Sequence, residues 1–175
     1  MKLFQIIFLS CVIFFGRNFE IPGGSLFLNE DDKFRMEKYA FYFEIRNKPF
    51  SEELLKKVIE YERITTPDVV LFQSFLETGF YTSDIFLNGN NLFGMKYPKL
   101  RKTTAIGEYK GHAKYQHWID SVIDYKLWQD WYKSVGYRID GNENFEYMVF
   151  LRCIQYAEDP YYIHKLVRLS EKDVS

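Results

Sequence analysis

The 175-residue sequence contains only two cysteines, Cys11 and Cys153. A disulfide framework is therefore excluded. Nothing beside Cys153 marks an activated thiol, since Arg152 is its only charged neighbour. Histidine is equally scarce: His112, His117 and His164 have no metal-ligand spacing, and neither HExxH nor CxxC occurs. GxxxxGK[ST], GxGxxG and GxSxG are all missing, so there is no nucleotide cradle and no nucleophile elbow. Neither a metal nor a cofactor is expected. An excess of charge of one sign is missing too, with 23 Lys+Arg against 24 Asp+Glu, so nothing marks a nucleic-acid partner. No apolar run reaches the roughly 20 residues of a bilayer span, and no internal repeat or low-complexity tract is visible.

What the chain has in abundance is aromatic rings: 17 Phe, 14 Tyr and 3 Trp, or 19% of its residues. At 47% apolar it can bury a core, which excludes disorder as the main state. The length suits one ordinary domain, and a monomer is expected. Aromatic side chains are mostly used in cores, yet Tyr and Trp also carry a polar handle that suits flat polar ligands such as sugars.

Residues 1–17 open with Lys2 and an apolar run from Leu3 to Phe15, the layout of a secretory signal. Export to the periplasm or cell envelope is the expectation. Phe8-Leu9-Ser10-Cys11 faintly resembles a lipoprotein box, which would add membrane attachment; the alternative is an N-terminal helix packed on the domain. Residues 18–50 read as a connector and N-terminal extension, turn-like at Ile21-Pro22-Gly23-Gly24 and acidic from Asn29 to Lys33.

Helical pattern follows. Ser51 can cap a helix carrying Leu54, Leu55, Val58 and Ile59. Thr66, Pro67 and Asp68 form a stronger start signal, and the helix after them is apolar nearly all round until Gly79. Asn88-Gly89-Asn90-Asn91 reads as a turn. Residues 103–118 read as a β-hairpin about Lys110-Gly111, although Lys does not favour the positive φ such a turn needs. Asp120-Ser121 can cap the next helix, through Trp131. Breaks at Gly136 and Asp140-Gly141-Asn142 precede a helix over about Phe145 to Tyr156. Asp159-Pro160 opens the last, to about Leu169. Helices flanking one small hairpin, without βαβ alternation, make the fold class α+β and mainly helical.

Carboxylates and aromatics are what remain for chemistry, and they are the equipment of glycoside hydrolysis. Glu77 closes the most apolar helix. Apolar surroundings and the negative end of the helix dipole both disfavour its charged form, which is what a general acid requires. The alternative is a Glu that merely pairs at a helix end. Glu108, on the hairpin, is the candidate second carboxylate, as base or stabiliser; a solvated hairpin residue would look the same. Asp120 and Asp124 read as a helix cap and an exposed helix face.

Four ordered blocks carry a resemblance. They are Thr66 to Gly79 (TPDVVLFQSFLETG), Asn90 to Lys96 (NNLFGMK), the hairpin and helix segments His112-Ala113-Lys114-Tyr115 and Trp118 to Tyr125, and Tyr156 to Tyr162. Together they resemble the glucosaminidase family of bacterial cell-wall hydrolases, glycoside hydrolase family 73, and in particular its Bacteroidetes members. The resemblance spans about Ser51 to Leu169, which sets the domain at 51–170. It implies a lysozyme-like fold with a small hairpin lobe, and an endo-β-N-acetylglucosaminidase acting on peptidoglycan glycan strands at the GlcNAc–MurNAc bond. It implies that Glu77 is the general acid, that Glu108 is the second acidic residue, and that Asn91, Phe93 and Gly94 shape the cleft. Tyr115, Tyr156 and Tyr162 match its substrate-site tyrosines. Core packing is the alternative for Phe93 and the favoured reading for Trp118. A lysozyme-type muramidase or lytic transglycosylase, and a non-catalytic glycan-binding domain, are the rival functions. Retention of both Glu77 and Glu108 argues against the binding domain.

Overall fold

A computed structural model describes residues 29–139 and 143–172. The expected export segment and the break at Asp140-Gly141-Asn142 lie outside the described residues. Among those described are seven helices and one two-stranded antiparallel sheet, a mainly helical α+β arrangement as expected. The chain divides into two units, Met1–Lys48 and Pro49–Ser175.

The first unit contains α1 (Glu30–Ile45). The stretch read as an acidic connector is the start of this helix. Asn29 Oδ1 accepts from the Asp32 N–H at 2.8 Å, and Glu30, Asp31 and Asp32 occupy the turn where the helix dipole favours anions. The cap is visible in the sequence. The periodicity is not: Phe34, Met36, Tyr39 and Phe41 fall on no single stripe, so the apolar pattern conceals the helix.

In the second unit, α2 (Glu52–Tyr61) starts where expected, with Ser51 Oγ accepting from the Leu54 N–H at 3.2 Å. Leu55, Val58 and Ile59 make its buried stripe, each stabilising the fold by roughly 1.5–3 kcal/mol. Next comes α3 (Pro67–Thr78), buried from Val69 through Ser74 and packed against α2, α6 (Asn144–Cys153) and α7 (Tyr162–Lys172). Pro67 takes the first helical position as expected, but the Thr66 side chain makes no capping bond. Thr66 is left-handed (φ +53°), whereas side-chain capping needs extended backbone, and its hydroxyl donates to the Thr65 carbonyl instead.

Helix α4 (Asp84–Gly89) absorbs the first half of the expected Asn88–Asn91 turn and ends at Asn90 (φ +54°). Helix α5 (Trp118–Ser134) begins earlier than Asp120. His117 caps it, and Asp120 instead accepts from the His117 backbone N–H at 3.0 Å. Trp118 is buried edge-on against Phe50, with ring centroids 5.3 Å apart.

The hairpin pairs β1 (Gly107–Tyr109) with β2 (His112–Lys114), Glu108 opposite Ala113. Its strands are shorter than the expected 103–118 span. Lys110 (φ +48°) and Gly111 (φ +77°) are both left-handed, the two-residue turn that matches strand twist. The strained lysine has a partner, since its ammonium pairs with Asp84 at 2.7 Å and Tyr109 Oη donates to the same carboxylate at 3.0 Å. These contacts fasten the hairpin tip to α4.

Candidate active site

Glu77 occupies the last turn of α3, which is closed by Gly79 in the left-handed region (φ +54°). The backbone stays left-handed through Phe80 and Tyr81, conformations that non-glycine residues adopt only under constraint. Thr78 supplies the constraint: its hydroxyl donates to the Ser74 carbonyl at 2.5 Å and accepts from the Tyr81 N–H at 2.8 Å. The end of the helix, and with it Glu77, is held in place.

The opposite wall is the Asn91–Met95 turn. Asn91 is buried and uses its whole hydrogen-bonding capacity on that turn and on β2. Its Oδ1 accepts from the N–H groups of Phe93 (3.2 Å) and Met95 (3.1 Å), and its Nδ2 donates to the carbonyls of Met95 (2.9 Å) and Ala113 (2.8 Å). The Ala113 N–H donates back to the Met95 carbonyl at 2.8 Å, so the turn extends the hairpin sheet by one position. Gly94 sits at φ +62°, where a β-carbon would stand 2.6 Å from Glu77 Oε2. The turn therefore approaches the carboxyl more closely than any side-chain-bearing residue allows.

A cavity of about 370 Å³ opens here, lined by Glu77, Gly94, Tyr97, Trp128, Tyr132 and Tyr156 among others. Tyr156 Oη donates to the Phe93 carbonyl at 2.7 Å, bracing the turn from the far side. Glu77 is half-buried, and desolvation of its carboxyl raises its pKa to about 7, partly opposed by a hydrogen bond from Tyr162. Burial, and then the nearby Glu77 charge, push the Tyr156 and Tyr162 hydroxyls well above the usual phenol range, so both are donors at neutral pH. A carboxyl protonated near neutrality at the edge of an aromatic-walled cavity is suited to giving a proton to a bound ligand's oxygen.

The remaining expected site residues are placed differently from one another. Phe93 is buried with its ring 4.4 Å from that of Tyr125, and its carbonyl is the part that serves the site. Tyr115 is fully buried and donates its hydroxyl to Asp124 Oδ2 at 2.8 Å, away from the cavity lining. Glu108 is exposed on β1 and does not line the cavity either. Asp124, expected on an exposed helix face, is fully buried, because it lies on the face of α5 that carries Ser121, Tyr125 and Trp128 into the interior. There it takes a bidentate pair from Arg101, both contacts 2.8 Å, and a bond from the Thr104 N–H at 3.3 Å. Arg101 lines the cavity, and its ion pair fastens that stretch of wall to α5.

Gln73, one turn before Glu77, is a buried polar residue beside the candidate acid that the sequence reading does not single out. Its side chain is fully buried, and its Nε2 donates to Tyr162 Oη at 3.3 Å. The available signal is a lone amide on an otherwise apolar helix, four residues from a carboxyl and therefore on the same face.

The Glucosaminidase family model, described as mannosyl-glycoprotein endo-beta-N-acetylglucosaminidase, matches residues 53–173. The chain belongs to this family. Its members are the glycoside hydrolase family 73 peptidoglycan hydrolases, and membership supports a function of that type. A 68-residue stretch of this glucosaminidase-family chain is 37% identical to Protein bax of Escherichia coli (strain K12). That stretch is 39% of the chain and spans 25% of the length of Protein bax. No solved structure matches the chain.

Proposed function

We propose that this glucosaminidase-family chain is an endo-β-N-acetylglucosaminidase that hydrolyses the GlcNAc–MurNAc bond of peptidoglycan, with Glu77 as the general acid. The single observation that carries the reading is the Glu77 carboxyl itself, protonated up to about pH 7 by burial and facing a cavity walled by tyrosines and a tryptophan. Protonating the glycosidic oxygen lets the sugar leave as an oxocarbenium-like species, and the rings of Tyr97 and Tyr132 offer faces for sugar stacking. After proton transfer the Glu77 carboxylate is received by the Tyr162 hydroxyl.

Glu108 is the second carboxylate of this proposal, activating water or stabilising developing positive charge. It lies opposite Ala113, and Ala113 bonds Met95 at the cavity wall, so Glu108 stands two strand spacings, about 10 Å, from that wall. Asn91, Phe93, Gly94 and Tyr115 act by shaping the cleft, Tyr156 by facing it and Tyr162 through Glu77. The enzyme works as a monomer in the cell envelope, with residues 1–17 as the export or anchoring segment. No helix among the described residues is long and apolar enough to cross a membrane.

Mass spectrometry of purified peptidoglycan digested by the full chain, beside Glu77→Gln, tests the proposal. New N-acetylglucosamine reducing ends that vanish in the variant are the expected result. Muramic acid or anhydro-muramic ends would move the enzyme to the muramidase or transglycosylase class. Glycan binding with no products would make it a binding module.

A further inference from the structure

Behind Glu77 runs a line of buried polar side chains in contact with each other from α5 to α7. It begins at Gln129, which is fully buried and bonded twice to the backbone of Thr65. The Thr65 N–H donates to Gln129 Oε1 at 3.0 Å, and Gln129 Nε2 donates to the Thr65 carbonyl at 3.0 Å. A peptide group cannot exchange its donor for its acceptor, so the orientation of the Gln129 amide is fixed.

The fixed amide orders everything downstream. Gln129 Nε2 also donates to Tyr147 Oη at 2.8 Å, leaving the Tyr147 proton for Tyr125 Oη at 2.7 Å. Tyr125 then donates to Gln73 Oε1 at 2.6 Å, and Gln73 Nε2 donates to Tyr162 Oη at 3.3 Å. The two lengths agree with this sense, since O–H···O bonds are shorter than N–H···O bonds. Tyr162, already accepting from Gln73, has its own proton free for Glu77, whose raised pKa is opposed by hydrogen bonding to Tyr162. The reverse sense fails at the far end: Tyr147 would face an N–H of Gln129 with its own proton unaccepted. One arrangement gives the Tyr147 and Tyr125 hydroxyls an acceptor each, and in it both hydroxyl protons point along the chain towards Tyr162 and Glu77.

We propose that Gln129 and Gln73 are positioning residues that act through this one-way chain, holding the Tyr162 O–H aimed at the Glu77 carboxylate so that the acid's conjugate base meets an oriented donor. The proposal deepens the reading of Glu77 as general acid and rests on it for its catalytic meaning. Tyr162 is the group whose hydroxyl reaches Glu77; Tyr156, Tyr97, Tyr132, Lys96 and Arg101 are the other titratable or charged groups around the same cavity. Arg101 is committed to Asp124, and of these groups Tyr162 is the one that the buried chain reaches.

Reversing the chain from its far end is the test. In Gln129→Glu the new side chain has no hydrogen left for Tyr147. When ionised it only accepts, and when protonated its single O–H is taken by the Thr65 carbonyl. Tyr147 must then donate towards residue 129, Tyr125 towards Tyr147, and the Gln73 amide turns over to accept from Tyr162. Glu77 loses its donor although no residue beside it has been substituted. Carbon-13 NMR titration of the Glu77 carboxyl in the full chain, assigned by Glu77→Gln, should show the midpoint rise by about one pH unit, a tenfold gain in proton affinity. Gln129→Met deletes the first donor without reversing the chain and should leave the midpoint in place. With Tyr162→Phe as background, Gln129→Glu should add nothing.

A rise with Tyr162→Phe but none with Gln129→Glu overturns the proposal. The unmodified protein gives a second test that needs no variant to fold. The Gln73 side-chain amide protons should show nuclear Overhauser contacts to the Tyr162 ring, and contacts to the Tyr125 ring instead would also overturn it. In kinetics, the alkaline limb of kcat/KM should move up with the midpoint. Full activity in Glu77→Gln would sink the general-acid reading alone, because the carboxyl titration and the amide contacts do not depend on turnover.

Discussion

A β-carbon built on Gly94 would lie 2.6 Å from Glu77 Oε2. No real β-carbon makes such a contact with a carboxylate oxygen, and the turn carrying Gly94 has little freedom to retreat. Asn91 holds it with three hydrogen bonds and ties it to β2 with another, and Tyr156 adds one more. Gly94→Ala should therefore displace the carboxyl rather than the backbone. The left-handed φ of +62° adds about 1–2 kcal/mol of strain. Activity on peptidoglycan should fall by about 100-fold or more, the usual result of misplacing a reacting group by an ångström. Parallel thermal melts should show only the modest loss of stability, which separates site damage from unfolding.

The raised pKa of Glu77 makes two predictions about pH. A general acid must be protonated, so turnover should be sustained below about pH 7 and fall as pH rises through that value. Stability follows the same group. The native carboxyl holds its proton up to about 7 and the unfolded one only to its ordinary value of 4.5, so between these the native state binds more protons. Stability from this residue is fully present below pH 4.5 and is lost as pH rises through 7, by at most about 3 kcal/mol. Urea unfolding at pH 5 and pH 8 should show that decline in the natural chain and a smaller one in Glu77→Gln. The variant should be the more stable of the two at pH 8.

Much of this arrangement is legible in the sequence because it rests on local signals. Ser51, Pro67 and Gly79 mark helix ends by backbone chemistry alone, and Lys110-Gly111 marks the hairpin despite its imperfect turn residue. Glu77 stands out because a carboxylate at the end of an apolar helix needs a reason. What local pattern cannot show is the long-range pairing. Asp124 looks solvated until Arg101, 23 residues away, is seen to reach it. Gln73 and Tyr162 are 89 residues apart, and nothing near either one signals the other. Tyr115 resembles a ligand contact in sequence, yet its hydroxyl is already taken by Asp124.

The Arg101–Asp124 pair is buried at both ends, with side chains 6% and 0% exposed. Replacing both partners with apolar residues can be nearly neutral, but removing one strands a charge inside the protein. Arg101→Met should cost about 3–5 kcal/mol, and the double variant Arg101→Met/Asp124→Leu should recover part of the loss. Chemical denaturation of the single and double variants checks this. Because Arg101 also lines the cavity, the single variant should raise KM more than it lowers kcat.

Glu108 separates two versions of the chemistry. It is exposed on β1 and lacks the burial that sets Glu77 apart, so its removal should leave stability within about 0.5 kcal/mol of the natural chain. If it activates water, Glu108→Gln should lower kcat by about 100-fold or more with little change in KM, since general-base assistance commonly contributes about 10²–10⁴-fold. Azide should then rescue turnover, because a small external nucleophile replaces the water that the lost base activated. Unchanged kcat in Glu108→Gln would show that the hairpin carboxylate takes no part. The acetamido group of the substrate would then be the remaining internal nucleophile, and Glu77 would act as the one essential carboxyl. Product anomers read by NMR during the first turnovers complete the distinction: direct attack by water inverts the anomeric carbon, and participation of the acetamido group retains it.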